Sequence, residues 1–270
     1  MGKNEFSCSY KRNGNGEIVI LVHGALADER MWEEHTNLLN NSYDIISITL
    51  RHFGKSKLVQ EGGFGLNTHS DDLANFIAEL KTDKKVHLAG WSYGADVALN
   101  TVSKYPQLCS SAFLYEPGYP GYLKEDEKQI FVKDANLMFE HVFAKVNDGD
   151  LNEAVRVLID GSGNKYGYFD LQHEKAKQQQ LDNSHTLPKQ LNQNEIPELT
   201  PASLPNISIP MTVAYGENTR PLFKVVSQSA AKIIPFVREV CVSKANHMLP
   251  IENPLLFSNL IRRHIENRNI

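Results

Sequence analysis

The chain has 270 residues, 41% of them hydrophobic and 22% charged, and its 28 basic and 32 acidic side chains leave a net charge of −4. That size and balance describe a soluble globular protein with one large core, or one core carrying a substantial insertion. They argue against a nucleic-acid partner, which would want a basic stripe, and against a membrane partner, because no apolar run approaches spanning length. The N-terminal Met1-Gly2-Lys3-Asn4-Glu5-Phe6 lacks the apolar centre of a signal peptide, and Phe6 breaks the myristoylation pattern. Cys8, Cys109 and Cys241 are odd in number and widely spaced, which reads as free thiols in a reducing compartment. The expected location is therefore cytoplasmic.

In chain order, Asn13-Gly14-Asn15-Gly16 reads as a hairpin turn, not a phosphate loop, because no helix follows it. Ile18–Val22 is a continuous apolar run, which predicts a strand buried on both faces. Asp28 is placed to cap a helix running to Leu39, with Met31, Trp32, His35, Leu38 and Leu39 at helical spacing. Tyr43–Leu50 is the next predicted strand. Glu61-Gly62-Gly63-Phe64-Gly65 reads as a flexible connector. Thr68-x-x-Asp71 predicts a helix start in capping-box form, with Leu73, Phe76, Ile77 and Leu80 as its apolar stripe. A strand at Val86–Ala89, a helix after Ser92 and a strand at Ser111–Tyr115 follow.

The pattern changes between 118 and 205, where strand signals fade. Ile130–Val146 predicts an amphipathic helix, and Asp150 with Glu153 opens another that runs to Leu158 and closes at Gly161. Residues 175 to 205 are rich in Gln, Asn and Pro. The alternation then resumes with strands at Met211–Tyr215 and Arg238–Val242 and helices at Pro221–Ile234 and Pro254–Ile265. This order implies an α/β fold: a mostly parallel sheet with helices on both faces. Residues 1–117 and 206–270 form its core, and 118–205 is an inserted helical cap, a lid over the strand ends where ligands bind in open parallel sheets.

Gly90-Trp91-Ser92-Tyr93-Gly94 carries the chemistry. The G-x-S-x-G pattern is weak alone, but here a strand precedes it and a helix follows, as a nucleophile elbow requires. A serine hydroxyl needs a base within hydrogen-bond reach, a group to orient that base, and donors for the developing oxyanion. His247, in the loop between the last strand and the last helix, is the candidate base. His35, His69 and His264 lie on helical patterns as surface or packing residues. His87 is in a strand, His52 is in a loop, and His141, His173 and His185 are in the insert. His23-Gly24 follows the first apolar strand, so the backbone amides of Ala25 and Tyr93 are the candidate oxyanion hole, with His23 holding the turn in shape. Trp91 is expected to pack, and Arg51 and Arg220 to form packing contacts or ion pairs. With no H-E-x-x-H motif and no paired cysteines, no metal site is expected, and the chemistry needs no cofactor.

His23-Gly24-Ala25, Arg51-x-Phe53-Gly54-x-Ser56, Gly90-Trp91-Ser92-Tyr93-Gly94 and Asn246-His247 resemble the α/β-hydrolase superfamily, in particular its small bacterial members with a helical cap. The resemblance covers the chain outside the insert and says little about substrate. It implies an acid in a Gly-x-x-Asp turn after the strand that follows the cap. Here that turn is Gly216-Glu217-Asn218-Thr219, and Thr219 stands where Asp is expected. Two carboxylates remain: Glu116 at the end of the Ser111–Tyr115 strand, where some branches place their acid, and Glu217. Glu116 is preferred, because a charged group at a strand end facing a pocket needs a partner such as an imidazolium.

The expected activity is a serine hydrolase cleaving a small ester, lactone or thioester through an acyl-enzyme on Ser92. Serine at the elbow argues against epoxide and haloalkane chemistry. One alternative is hydrolysis of a carbon–carbon bond by the same residues. The other is a ligand-sensing or partner-binding protein with little turnover. The expected partner is a small molecule, and the chain is expected to be a monomer or homodimer.

Overall fold

The computed structural model describes residues 9–55 and 62–267. The N-terminal hexapeptide, Cys8, Ser56 and Glu61 lie outside the described residues. Seven strands form one sheet: β1 (Ser9–Gly14), β2 (Ile18–Val22), β3 (Asp44–Thr49), β4 (Val86–Trp91), β5 (Ser111–Tyr115), β6 (Met211–Gly216) and β7 (Val237–Val242). Their order is β1-β3-β2-β4-β5-β6-β7. Only β1 is antiparallel, to β3, and every other pair is parallel.

β2 to β6 are buried at every residue, which is why β2, inside the sheet, reads as a continuous apolar run and not as an alternating one. Alternation survives in direction. Ile18, Ile20 and Val22 join one core cluster, and Val19 and Leu21 join the other across the sheet. Polar β1 takes the edge, where its outward residues stay in water.

The hairpin expected at 13–16 is not formed. Gly14 and Gly16 do adopt left-handed backbone, at φ 107° and 114°. However, β1 pairs with β3, so the turn carries the chain past β3 instead of folding β2 back on β1. Burial decides this: wholly apolar β2 belongs inside the sheet and charged β1 does not.

The helices follow the expected alternation. A short 3-10 turn at Glu29–Trp32, capped by the Asp28 carboxylate on the Arg30 amide at 3.1 Å, leads into α1 (Glu33–Leu39). α2 (Leu66–Glu79) begins two residues before Thr68, so the expected capping box is absent. Glu195 from the insert takes its place. It accepts from the Thr68 amide at 3.0 Å and from the Thr68 hydroxyl. Asp71 instead accepts from the Tyr105 hydroxyl at 2.8 Å. α3 (Tyr93–Lys104) follows β4 directly.

Between β5 and β6 come α4 (Glu125–Asn147), α5 (Leu151–Ser162), α6 (Tyr168–Leu171), α7 (Glu174–Asp182) and α8 (Leu187–Leu191). Asp150 caps α5 by accepting from the Glu153 amide at 3.1 Å, but the helix runs through Gly161 to Ser162. α9 (Pro221–Ile233), α10 (Leu249–Glu252) and α11 (Pro254–Ile265) complete the chain.

Polar contacts tie the insert to the rest. Arg220 Nη2 donates to Asp134 of α4 at 2.7 Å, and the Leu222 amide donates to the same carboxylate at 3.1 Å. Buried Asp28 accepts from Gln179 at 2.9 Å and from Asn183 at 2.8 Å. Among the described residues no helix is long and apolar enough to cross a membrane.

Candidate active site

β4 ends at Trp91 and α3 starts at Tyr93, leaving Ser92 alone in the turn with φ 55° and ψ −124°. A non-glycine residue there is strained, and the strain holds its hydroxyl clear of the backbone. The flanking glycines are steric necessities. A Cβ on Gly90 would lie 2.4 Å from the Gly94 carbonyl, and one on Gly94 would lie 2.3 Å from the Val22 carbonyl.

His247 sits between β7 and α10, almost wholly buried. Its Nε2 is 3.0 Å from Ser92 Oγ, and its Nδ1 is 2.6 Å from Glu116 Oε2. Trp91 does more than pack: its indole N–H donates to the His247 carbonyl at 2.8 Å. The Tyr115 hydroxyl holds the neighbouring Asn246 carbonyl at 2.7 Å. The Phe223 ring, from the start of α9, stacks on the imidazole at 3.7 Å between centroids and 8° between planes. Position and tilt of the imidazole are thus set from three directions.

Glu116 is fully buried and also has positive φ, 50°. Besides His247, its carboxyl accepts from the Gly216 amide at 2.7 Å and the Thr219 hydroxyl at 2.7 Å. Glu217, two residues before Thr219, points outward instead. It accepts from the Ser243 hydroxyl at 3.0 Å and the Lys244 amide at 2.9 Å, and these bonds, the amide first, hold its carboxyl below the usual range. The structure brings Glu116 to His247 and leaves Glu217 on the surface.

Ala25 and Tyr93 line the same pocket as Ser92. No acceptor among the described residues takes either backbone N–H. The Tyr93 amide is free because the first N–H groups of a helix have no intrahelical partner. His23 holds the turn before Ala25. Its Nε2 accepts from the Leu50 amide at 3.0 Å, so the proton is on Nδ1, which donates to the Gly24 carbonyl at 2.8 Å. Burial keeps this ring neutral.

The other candidates resolve simply. His35, His69 and His264 are packing residues, all buried, and burial pushes each down to about 3. Arg51 pairs with Asp72 at 2.6 Å and Arg220 with Asp134 at 2.7 Å, and neither lines the pocket. Among the described residues no cluster of three metal-ligating side chains occurs.

The pocket encloses about 240 Å³. Ala25, Ser92 and His247 stand on one side, and the insert supplies apolar Met138, Leu158, Ile159 and Leu187. Among the lining residues that the sequence did not single out is Asp96, whose carboxyl is pushed up to about 7 by burial. The signal was its place, a carboxylate four residues after Ser92 in the first turn of α3.

Known proteins match this chain in both sequence and shape. It is 24% identical over 273 residues to the pimeloyl-[acyl-carrier protein] methyl ester esterase of Aeromonas hydrophila, covering 96% of this chain and 99% of that one. It is 30% identical over 109 residues to the uncharacterized hydrolase YraK of Bacillus subtilis, a match spanning 40% of each. The structure of a thermophilic esterase from Thermogutta terrifontis superposes with a TM-score of 0.71 at 21% identity, covering 96% of this chain and 93% of that one. The family model described as the alpha/beta hydrolase fold matches residues 17–254, which takes in every strand but the edge strand β1 and all the residues gathered around Ser92. On that match the chain belongs to the alpha/beta hydrolase fold family.

Proposed function

We propose that the chain is an esterase that works through an acyl-enzyme on Ser92, with a short, largely apolar acyl group. One observation carries the reading: Ser92, His247 and Glu116 stand in a hydrogen-bonded line at 3.0 and 2.6 Å, at the wall of an apolar pocket. Ser92 Oγ attacks the ester carbonyl as His247 Nε2 takes its proton. The developing oxyanion meets the amides of Ala25 and Tyr93, which no acceptor among the described residues occupies. His247 then protonates the leaving alcohol and activates a water that releases the acid. Glu116 keeps the proton of the resting imidazole on Nδ1, so that Nε2 faces the serine as a base.

The insert 118–205 acts as the cap that shapes this pocket, since its residues form much of the apolar wall. A volume of about 240 Å³ lies below the roughly 300–1,000 Å³ usual for drug-sized ligands, which favours small substrates. The name of the Aeromonas protein, an esterase matched over nearly the full length of both chains, supports ester cleavage. A merely ligand-sensing protein is disfavoured, because the Asp missing at position 219 is replaced by a carboxyl that reaches the same histidine.

A panel of short-chain to medium-chain nitrophenyl esters, run beside fluorophosphonate labelling, tests the reading. Turnover and labelling are expected in the wild type, and both should vanish in Ser92→Ala. A wild type that neither labels nor turns over any ester overturns it.

A further inference from the structure

The pocket wall holds one titratable group that the proposed acyl transfer leaves unused. Asp96 lies in the first turn of α3, four residues after Ser92, and its backbone amide donates to the Ser92 carbonyl at 3.1 Å. Its side chain is 5% exposed and lines the pocket. Oδ1 accepts from the amides of Gly118 at 3.1 Å and Tyr119 at 3.0 Å, and Oδ2 shares the Gly118 amide at 3.0 Å. No cationic side chain among the described residues acts on it. A Cβ added to Gly118 would sit 3.7 Å from both Asp96 Oδ2 and the Phe223 ring, so this oxygen shares a wall with the ring stacked on His247.

A second polar group in the same pocket has no partner among the described residues. Gln190 Oε1 is buried with no hydrogen-bond partner. A buried acceptor without a donor is costly, and a ligand that brings the donor removes the cost. Asp96 in the same pocket is held only by backbone amides and keeps a lone pair for such a donor.

We propose that Asp96 is a specificity-determining residue whose carboxyl accepts a hydrogen bond from a hydroxyl on the acyl group held in this pocket. The favoured substrates are hydroxyacyl esters. A hydroxyl fits better than an ammonium, because stripping water from a full charge costs far more. This inference rests on the esterase reading.

Asp96 ionises within the working range, because burial pushes it up to about 7 against the pull of the two amides. The titratable groups facing it are the phenols of Tyr93, Tyr119 and Tyr122, all raised by burial and therefore neutral near pH 7, and His247 of the pocket. His247 takes part in the cleavage of both esters alike, so its contribution cancels in a ratio of two substrates. The preference for a hydroxyl therefore grows with pH as Asp96 becomes a carboxylate.

The test compares kcat/KM for p-nitrophenyl 3-hydroxybutyrate and p-nitrophenyl butyrate, from about pH 6 to about pH 8. The wild type is expected to favour the hydroxy ester by roughly tenfold or more at the upper end, as for one hydrogen bond to a charged group. The ratio should shrink toward the acid end and fall to about one in Asp96→Asn, with fluorophosphonate labelling showing that the variant is folded. A ratio near one in the wild type, a ratio that does not change with pH, or a ratio retained in Asp96→Asn overturns the proposal. The pH series needs no variant. Butyrate turnover without preference sinks this inference alone, whereas absence of both turnover and labelling sinks the esterase reading with it.

Discussion

Thr219 donates its hydroxyl to Glu116 Oε2 at 2.7 Å. The loop after β6 thus supports the carboxyl delivered from the end of β5 and supplies none of its own. The Gly216 amide from the same loop adds a second bond at 2.7 Å. Two neighbouring strand ends thereby share the task of orienting one imidazole.

The first expectation concerns which acid acts. Glu116→Gln should lower kcat by about 10²–10⁴-fold, because an amide no longer fixes the imidazole tautomer. Glu217→Gln should leave kcat within about twofold, since its bonds run only to Ser243 and Lys244. Kinetics on one nitrophenyl ester decide it, and the reverse pattern would move the acid to Glu217.

Exchanging the two positions is a sharper trial. Thr219→Asp in an otherwise native chain places a second carboxylate beside buried Glu116, so it should destabilise the fold by roughly 1–3 kcal/mol and slow turnover. Combined with Glu116→Gln, the same substitution should recover at least about tenfold of the lost kcat. Failure of the double variant to exceed Glu116→Gln alone would show that the 219 side chain cannot reach His247.

Asp96 should make stability pH-dependent. Burial raises its carboxyl from 3.8 to about 7 in the folded chain. At acid pH both folded and unfolded chains hold the proton, and the group costs nothing. As pH rises through the interval between the two values, only the unfolded chain releases it readily, so stability falls, and the loss is complete above about 7. Asp96→Asn should therefore raise Tm at pH above 7 and do little at acid pH, with a gain of roughly 1–4 kcal/mol at most. Thermal unfolding of both proteins across that range is the check, and equal shifts at all pH values would refute the assignment.

The insert should depend on its buried ion pair. Arg220 and Asp134 are 12% and 11% exposed, so Asp134→Ala strands a guanidinium. A loss of about 3–5 kcal/mol is expected for breaking such a pair from one side. Because α4 lines the pocket through Met138, KM should rise as well. Denaturant unfolding and ester kinetics on the variant measure both, and an unchanged KM would uncouple this contact from the pocket.

Much of this molecule was legible in one dimension. The elbow could be read because strand, serine and helix are consecutive, and its glycines are required by contacts within that same turn or with the adjacent β2. Strand β2 could be read because burial on both faces forces a continuous apolar run. Those signals are short-range, so local sequence carries them. The edge position of β1, the capping of α2 by Glu195 and the selection of Glu116 over Glu217 were different. Each depends on where a distant segment comes to rest: β1 against β3, Glu195 against Thr68, and Gly216 with Thr219 against a carboxyl 100 residues earlier. Asp96 shows the same division. Its spacing from Ser92 stood in the sequence, but its buried, cation-free surroundings arise only when Gly118, Tyr119 and the insert close around it. Local composition decides which element forms, whereas the charge state and partners of a side chain follow from what long-range packing places beside it.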